Sequence, residues 1–223
     1  MIPLRDKIPS SSFPIVNTIL IAVNILMFLY EVSLGRDLNR FIYEYGLIPA
    51  SIIYSPDMAF SYRVYPFFTS MFLHGGWLHL IGNMLYLYIF GDNVEDRMGH
   101  FRYIVFYLIS GLVAAFAQVI TNIDSTIPMV GASGAISGVL GAYILFFPGS
   151  RIVTLVPVFF FIQIVEVPAV LFLLFWFILQ FFSGVASLAV TPKGGGVAFW
   201  AHVGGFVAGL FLARFFGKRR YYR

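Results

Sequence analysis

A hydroxyl attacks a carbonyl carbon only once a base removes its proton, so a serine and a histidine in matching settings are the first thing to look for. This chain has such a pair. Ser133 lies in Gly131-Ala132-Ser133-Gly134-Ala135-Ile136-Ser137-Gly138, and His202 lies in Ala201-His202-Val203-Gly204-Gly205. Each stretch opens a strongly apolar segment of membrane-spanning length, where polar side chains are costly and usually functional. A third such segment carries His79 and Asn83, four residues apart and so on one helix face, with His74 just before them. An imidazole N–H and an amide NH₂ are the kind of fixed donors that a developing oxyanion needs. The backbone N–H of Ser133, at the positive end of its helix, is a third.

Each group also has a bland explanation. Gly134-xxx-Gly138 and Gly205-xxx-Gly209 are small-xxx-small patterns that let helices pack closely in lipid, with Ser133 bonded to its own backbone. His79 and Asn83 can serve as interhelical glue. Zinc is the remaining competitor, but there is no His-Glu-x-x-His motif, no evident third ligand and no cysteine. What favours chemistry is the combination: serine and histidine fall at one depth, each followed by glycines along one flank. A close crossing of those two helices brings hydroxyl to imidazole.

The elements that must position these residues follow from composition. Of 223 residues, 60% are hydrophobic and 11% charged, too little polar surface to cover a soluble globule. A bilayer core of roughly 30 Å takes about 20 apolar residues per helix, which predicts spans near residues 13–33, 76–93, 102–121, 133–148, 167–189 and 197–217. The second and fourth are short and polar in their first turns, as expected of central helices shielded from lipid. No linker divides the chain, so one domain over 1–223 is expected. The run after Arg5 and Lys7 continues without a small-residue cleavage site and reads as a retained first span. Residues 35–73, rich in Tyr, Phe, Pro and Ser, read as an interfacial cap. Ile152 to Val165, bounded by Pro148 and Pro168 and broken by Pro157, reads as a re-entrant or interfacial piece.

Charge sets the expected orientation. The net charge of +4 comes from residues at span ends and at the tail, with no basic run suited to nucleic acid. With six spans, Arg5, Lys7, Arg97, Arg102, Arg151, Arg214, Lys218, Arg219, Arg220 and Arg223 share one side, against Arg36, Arg40, Arg63 and Lys193 on the other. The positive-inside rule then puts both termini in the cytoplasm, with His79, Ser133 and His202 toward the outer leaflet. Glu95 and Arg97, at the opposite end, read as helix-capping and loop-pinning groups. Gly99-His100 reads as a solvated turn, and Thr191 to Gly196 as a flexible outer loop before the histidine helix.

Phe72-Leu73-His74-Gly75-Gly76-Trp77-Leu78-His79-Leu80-Ile81-Gly82-Asn83-Met84, Gly131-Ala132-Ser133-Gly134 and Ala201-His202-Val203-Gly204-Gly205, in that order on those segments, resemble the rhomboid family of intramembrane serine proteases. Phe90-Gly91-Asp92-Asn93-Val94-Glu95 is similar to the family's second-span exit, and the likeness runs from about Tyr62 to Leu212. The resemblance implies an all-α membrane protein, a six-helix rhomboid-like bundle with an interfacial first loop. It matches Ser133 to the nucleophile and His202 to the general base. His79 and Asn83 match the oxyanion-stabilising positions, and Gly131 and Gly134 the turn around the serine. It further implies a Ser-His dyad without an aspartate and cleavage of transmembrane protein substrates near the outer face. No metal or nucleotide cofactor is called for. Many relatives have an aromatic residue four positions after the nucleophile, stacked on the histidine. Here that position is Ser137, expected to take a supporting role, alongside His74 and Gly205. The rivals are a non-catalytic rhomboid-like protein that binds membrane helices, a small-solute transporter and an aspartyl protease. A transporter calls for inverted repeats or midplane charges, and an aspartyl protease for two facing aspartates; neither pattern is present.

Overall fold

The computed structural model describes residues 1–55, 57, 59–158, 161–188 and 196–218. Strand β1 (Ile2–Asp6) precedes helix α1 (Ile15–Ser33). The buried residues of α1 are Asn17, Leu20, Asn24, Phe28 and Glu31, spaced three and four apart. Its polar stripe thus faces the protein while its apolar sides are exposed, the inverse of a soluble helix and the arrangement a lipid surround demands. Asn17 donates to the Leu87 carbonyl at 3.0 Å and accepts from Tyr103 at 2.8 Å.

A series of short helices follows: α2 (Leu38–Tyr45), α3 (Pro49–Tyr54), α4 (Phe60–Val64) and α5 (Pro66–Thr69), with 3-10 turns at Gly35–Asp37 and Ser70–Phe72. Prolines at the start of α3 and α5, where a missing N–H costs nothing, help to keep these pieces short. Tyr43, Tyr54, Phe60 and Tyr62 are exposed on this cap. Its inner side is tied to the segment ahead of Ser133. Leu47 and Met129 exchange backbone hydrogen bonds of 3.0 and 2.8 Å, and Gly131 N–H donates to the Ser70 carbonyl at 2.8 Å.

Helices α6 (Trp77–Met98), α7 (His100–Thr121), α8 (Ser133–Phe146), α9 (Ala169–Leu188) and α10 (Phe199–Phe216) complete the bundle. With α1 they fall within or close to the segments that hydropathy marks. Among the described residues, four helices are long and apolar enough to cross a membrane: α1, α7, α9 and α10. Helix α8 is short, and every residue from Gly134 to Tyr143 is buried, so it runs through the centre. Helix α6 carries Asp92, Glu95, Asp96 and Arg97 in its last two turns, which makes it less apolar than the others.

The region between α8 and α9 departs from the expectation. Residues 152–158 and 161–165 belong to two antiparallel strands, β2 (Arg151–Val158) and β3 (Phe161–Pro168), paired from Arg151↔Pro168 to Val158↔Phe161. Strand β1 joins the other edge of β2, from Ile2↔Leu155 to Asp6↔Ile152. The fold is therefore mostly helical with a three-stranded sheet, not all-α. The β-branched run Ile152, Val153, Thr154, Val156, Ile162, Ile164, Val165 and Val167 favours the pleated form. Pro157 is accommodated near the end of β2, opposite Ile162, and the N-terminal strand supplies the third partner that a lone strand pair lacks. The sheet adjoins the C-terminal end of α8, about 20 Å from Ser133 at the 1.5 Å rise of a helix.

That end is held by polar contacts of the expected kind. Glu95 accepts from the backbone N–H groups of Val16 and Asn17 at 2.9 and 2.7 Å, capping α1, and also meets His100. Arg97 donates to the Lys218 carbonyl at 2.5 Å. Asp6 accepts from Tyr143 at 2.6 Å and Asn93 at 2.8 Å. The expected outer loop, apart from Gly196, and the basic residues Lys193, Arg219, Arg220 and Arg223 lie outside the described residues.

Candidate active site

Two glycine flanks bring α8 and α10 together. A Cβ on Gly205 would be driven into the Gly134 carbonyl, one on Gly209 into the Gly138 backbone, and one on Gly141 into the Phe206 carbonyl. Backbone thus packs on backbone along three turns, the close approach that small residues permit in lipid. On the far side of α8, Gly134 meets Ala114 and Gly138 meets Ser110 of α7. The serine helix is therefore clamped between two neighbours.

At the N-terminal end of this crossing, Ser133 Oγ lies 2.8 Å from His202 Nε2. His202 is 8% exposed, one turn into α10, and Ser133 is the first residue of α8 and half-buried. The N–H of Ser133 belongs to a first helical turn, whose donors have no partner within the helix.

The backbone before Ser133 is shaped by Gly131, whose φ of +125° lies in the region that disfavours side chains. A Cβ there would also sit 2.6 Å from His79 Nε2 and 3.6 Å from Asn83 Nδ2. Two observations thus require glycine at 131, and together they put the His79 and Asn83 side chains against the turn that leads into Ser133. Asn83 Nδ2 is buried, and among the described residues it has no acceptor. An orphaned buried donor is expensive unless something uses it.

His74 is buried one turn before α6, its ring edge-on to that of His79 with centroids 5.3 Å apart. Its backbone N–H reaches both carboxylate oxygens of Glu31 at 3.2 Å. This buried carboxylate at the end of α1 was not anticipated from sequence. Its part is to fasten the first helix to the loop entering α6.

Ser137 does not approach the imidazole through its hydroxyl. It donates instead to the Ser133 carbonyl at 2.6 Å, a bond back along its own helix. The face of His202 left without an aromatic from α8 is met from α9. The Trp176 ring lies 5.8 Å from it at an interplanar angle of 33°, and Gln180 Oε1 is 2.7 Å from His202 Nδ1. Neither residue was singled out from the sequence. Trp176 is one aromatic among many, but Gln180 is the only amide side chain in the apolar run of α9, a signal that a polar residue in such a segment has a partner.

The collected groups suit acyl transfer: a hydroxyl paired with an imidazole, and donors grouped beside the hydroxyl. Among the described residues no cluster of three or more His, Cys, Asp or Glu side chains is arranged to hold a metal ion.

Known proteins resemble much of this chain. The Rhomboid domain model matches residues 61–219, a stretch containing every site residue named above except Glu31. The chain is 33% identical over 142 residues to RHOMBOID-like protein 5 of Arabidopsis thaliana, covering 64% of this chain and 40% of that protein. Over 140 residues it is 31% identical to Rhomboid protease AarA of Providencia stuartii, covering 57% of this chain and 49% of the relative. Rhomboid protease GluP of Bacillus subtilis (strain 168) is 33% identical over 130 residues, with 58% of this chain and 24% of the relative covered. The chain spans less than half the length of each of these relatives. Its apolar helices make it an integral membrane protein. Matched over more than half of its length, across the helices that bear Ser133 and His202, this chain belongs to the rhomboid family.

Proposed function

We propose that this protein is an intramembrane serine endopeptidase that hydrolyses peptide bonds in or beside transmembrane segments of membrane protein substrates. The observation that carries the reading is the 2.8 Å separation of Ser133 Oγ and His202 Nε2, within hydrogen-bond reach for direct proton transfer. As Ser133 attacks the scissile carbonyl, its proton passes to His202 and the carbonyl electron pair moves onto oxygen. His79, Asn83 and the Ser133 N–H stabilise that oxyanion, and the protonated His202 then gives its proton to the leaving amine. Water hydrolyses the acyl-enzyme by the same steps, with His202 again as base.

In this reading one domain over residues 1–223 crosses the membrane six times, with both termini cytoplasmic and the site toward the outer leaflet. The charge asymmetry supports that orientation. Substrates unwind locally to present the bond, so helix-weakening residues are expected at their cleavage sites. Neither nucleic acid nor a cofactor takes part.

The test is labelling of detergent-purified protein with a fluorophosphonate, locating the adduct by mass spectrometry, alongside cleavage of a model transmembrane substrate. An adduct on Ser133 that vanishes in His202→Ala, with cleavage lost in Ser133→Ala, is expected. Equal cleavage by Ser133→Ala and wild type would overturn the reading. A protein that binds the substrate helix without cutting it would show the non-catalytic alternative instead.

A further inference from the structure

A neutral imidazole has one N–H and one lone pair, and catalysis by His202 requires the lone pair at Nε2, facing the Ser133 hydroxyl 2.8 Å away. The proton must then sit on Nδ1. Which nitrogen holds it is decided by what faces the other one. In serine hydrolases with three-membered sites a carboxylate does this, but here no Asp or Glu occurs in α7, α8, α9 or α10.

Helix α9 provides a neutral substitute. Gln180 Oε1 lies 2.7 Å from His202 Nδ1, and a carbonyl oxygen can only accept. Trp176 lies four residues earlier, on the same helix face, and its ring covers the imidazole at 5.8 Å. The same indole lies 6.2 Å from Phe206, and Phe177 stacks on Phe206 at 4.8 Å, so the α9–α10 contact is continuous below the histidine. Ser137 offers the ring nothing in exchange, its hydroxyl being engaged by the Ser133 carbonyl.

We propose that Gln180 is the positioning residue that selects the Nδ1–H tautomer of His202, with Trp176 holding the ring plane, so that the base of this site is prepared by α9. The proposal rests on the serine protease reading for its catalytic consequence, but the tautomer itself does not. When Ser133 Oγ–H gives its proton to Nε2, the Nδ1–H bond to Gln180 Oε1 is kept, and the imidazolium retains an oriented dipole on its outer nitrogen. No atom of Gln180 gains or loses a proton.

The experiment uses the full chain in detergent with ¹⁵N-labelled histidine. The chain has four histidines, so the His202 ring signals are assigned by their loss in His202→Ala. Wild type is expected to show a protonated Nδ1 and an unprotonated Nε2. Gln180→Leu, which removes the acceptor at similar volume, should lose that preference and lower kcat by about 10- to 100-fold, a fraction of what general base catalysis provides, with KM changed less than twofold. Gln180→Glu restores an acceptor at the same place and should recover both the tautomer and most of kcat, a rescue that a packing role alone does not explain. A wild-type ring protonated on Nε2 overturns the proposal, as does a Gln180→Leu protein with unchanged ring signals. Should Gln180→Leu fail to fold, Gln180→Glu decides: a folded Glu variant without the Nδ1–H signal overturns it equally. If wild type shows the Nδ1–H tautomer, loses it in Gln180→Leu, and still cuts no transmembrane substrate and takes no fluorophosphonate, the positioning role stands and the protease reading falls.

Discussion

In the proposed reaction the Ser133 hydroxyl gives its proton to His202 Nε2, 2.8 Å away, but bond-making at a carbonyl also leaves negative charge that must be met at once. In that proposal His79, Asn83 and the Ser133 amide, which lie around the Gly131 turn, meet it. Asn83 is the most telling of them, because its Nδ2 is buried with no acceptor among the described residues and so is a donor available to an oxyanion in the proposed reaction. Asn83→Ala should lower kcat by about 100-fold or more, the usual cost of one oxyanion donor. KM and fluorophosphonate-independent properties such as the melting temperature should stay close to wild type. Steady-state cleavage of a model substrate measures this, and a loss confined to KM would remove Asn83 from the oxyanion role. Gly131 acts differently. It carries no functional group, yet its positive φ and its closeness to His79 Nε2 exclude any side chain.

The helices supply the precision that the residues need. The contact between α8 and α10 is tightest at Gly141, Gly205 and Gly209, where a methyl group has backbone rather than flexible side chain in its way. Backbone cannot rotate aside, so the helices must separate, and every ångström of separation is taken from the Ser133–His202 bond. Gly209→Val, two turns below His202, should therefore destabilise the protein by about 1–3 kcal/mol, as overpacking does. It should also abolish serine labelling even though it touches neither reacting group. Thermal unfolding in detergent and fluorophosphonate labelling, read on the same sample, check the two effects together. A variant that is destabilised but labels normally would show that the crossing has slack. Helix α9 contributes on the other side of the histidine, and the short cap helices fasten the Gly131 turn through Ser70 and Met129.

Over the whole molecule, the proposed site and the polar fastening lie at opposite ends. The end remote from Ser133 carries the sheet, the Glu95 cap on α1 and the Asp6–Tyr143–Asn93 contacts. Burial raises the Asp6 carboxyl above its ordinary value near 3.8, against the opposing effect of its hydrogen bond from Tyr143. A raised folded-state value means the folded protein holds the proton more tightly than the unfolded chain. The resulting stability is complete below about pH 4 and declines as pH rises through the raised value. Asp6→Asn should flatten that part of the melting-temperature profile while leaving serine labelling intact. A profile unchanged by Asp6→Asn would show that Asp6 titrates alike in both states. Much of this arrangement was legible in the sequence alone. Ser133, His202, His79 and Asn83 stand out because polar groups in apolar segments are costly, and the glycine spacing foretold the crossing that brings the first two together. Hydropathy likewise marked segments that hold helices, four of them long and apolar enough to cross a membrane among the described residues. Three things depended on the folded chain. The β-branched strands 151–158 and 161–168 sit in a sheet completed by a strand from the N-terminus, some 150 residues away, and no local pattern contains that partner. Ser137 turned to its own backbone, and Gln180 and Trp176 came to His202, because which face of α9 meets α10 is fixed by packing across helices. Periodicity tells which residues share a face; it does not tell what that face will touch.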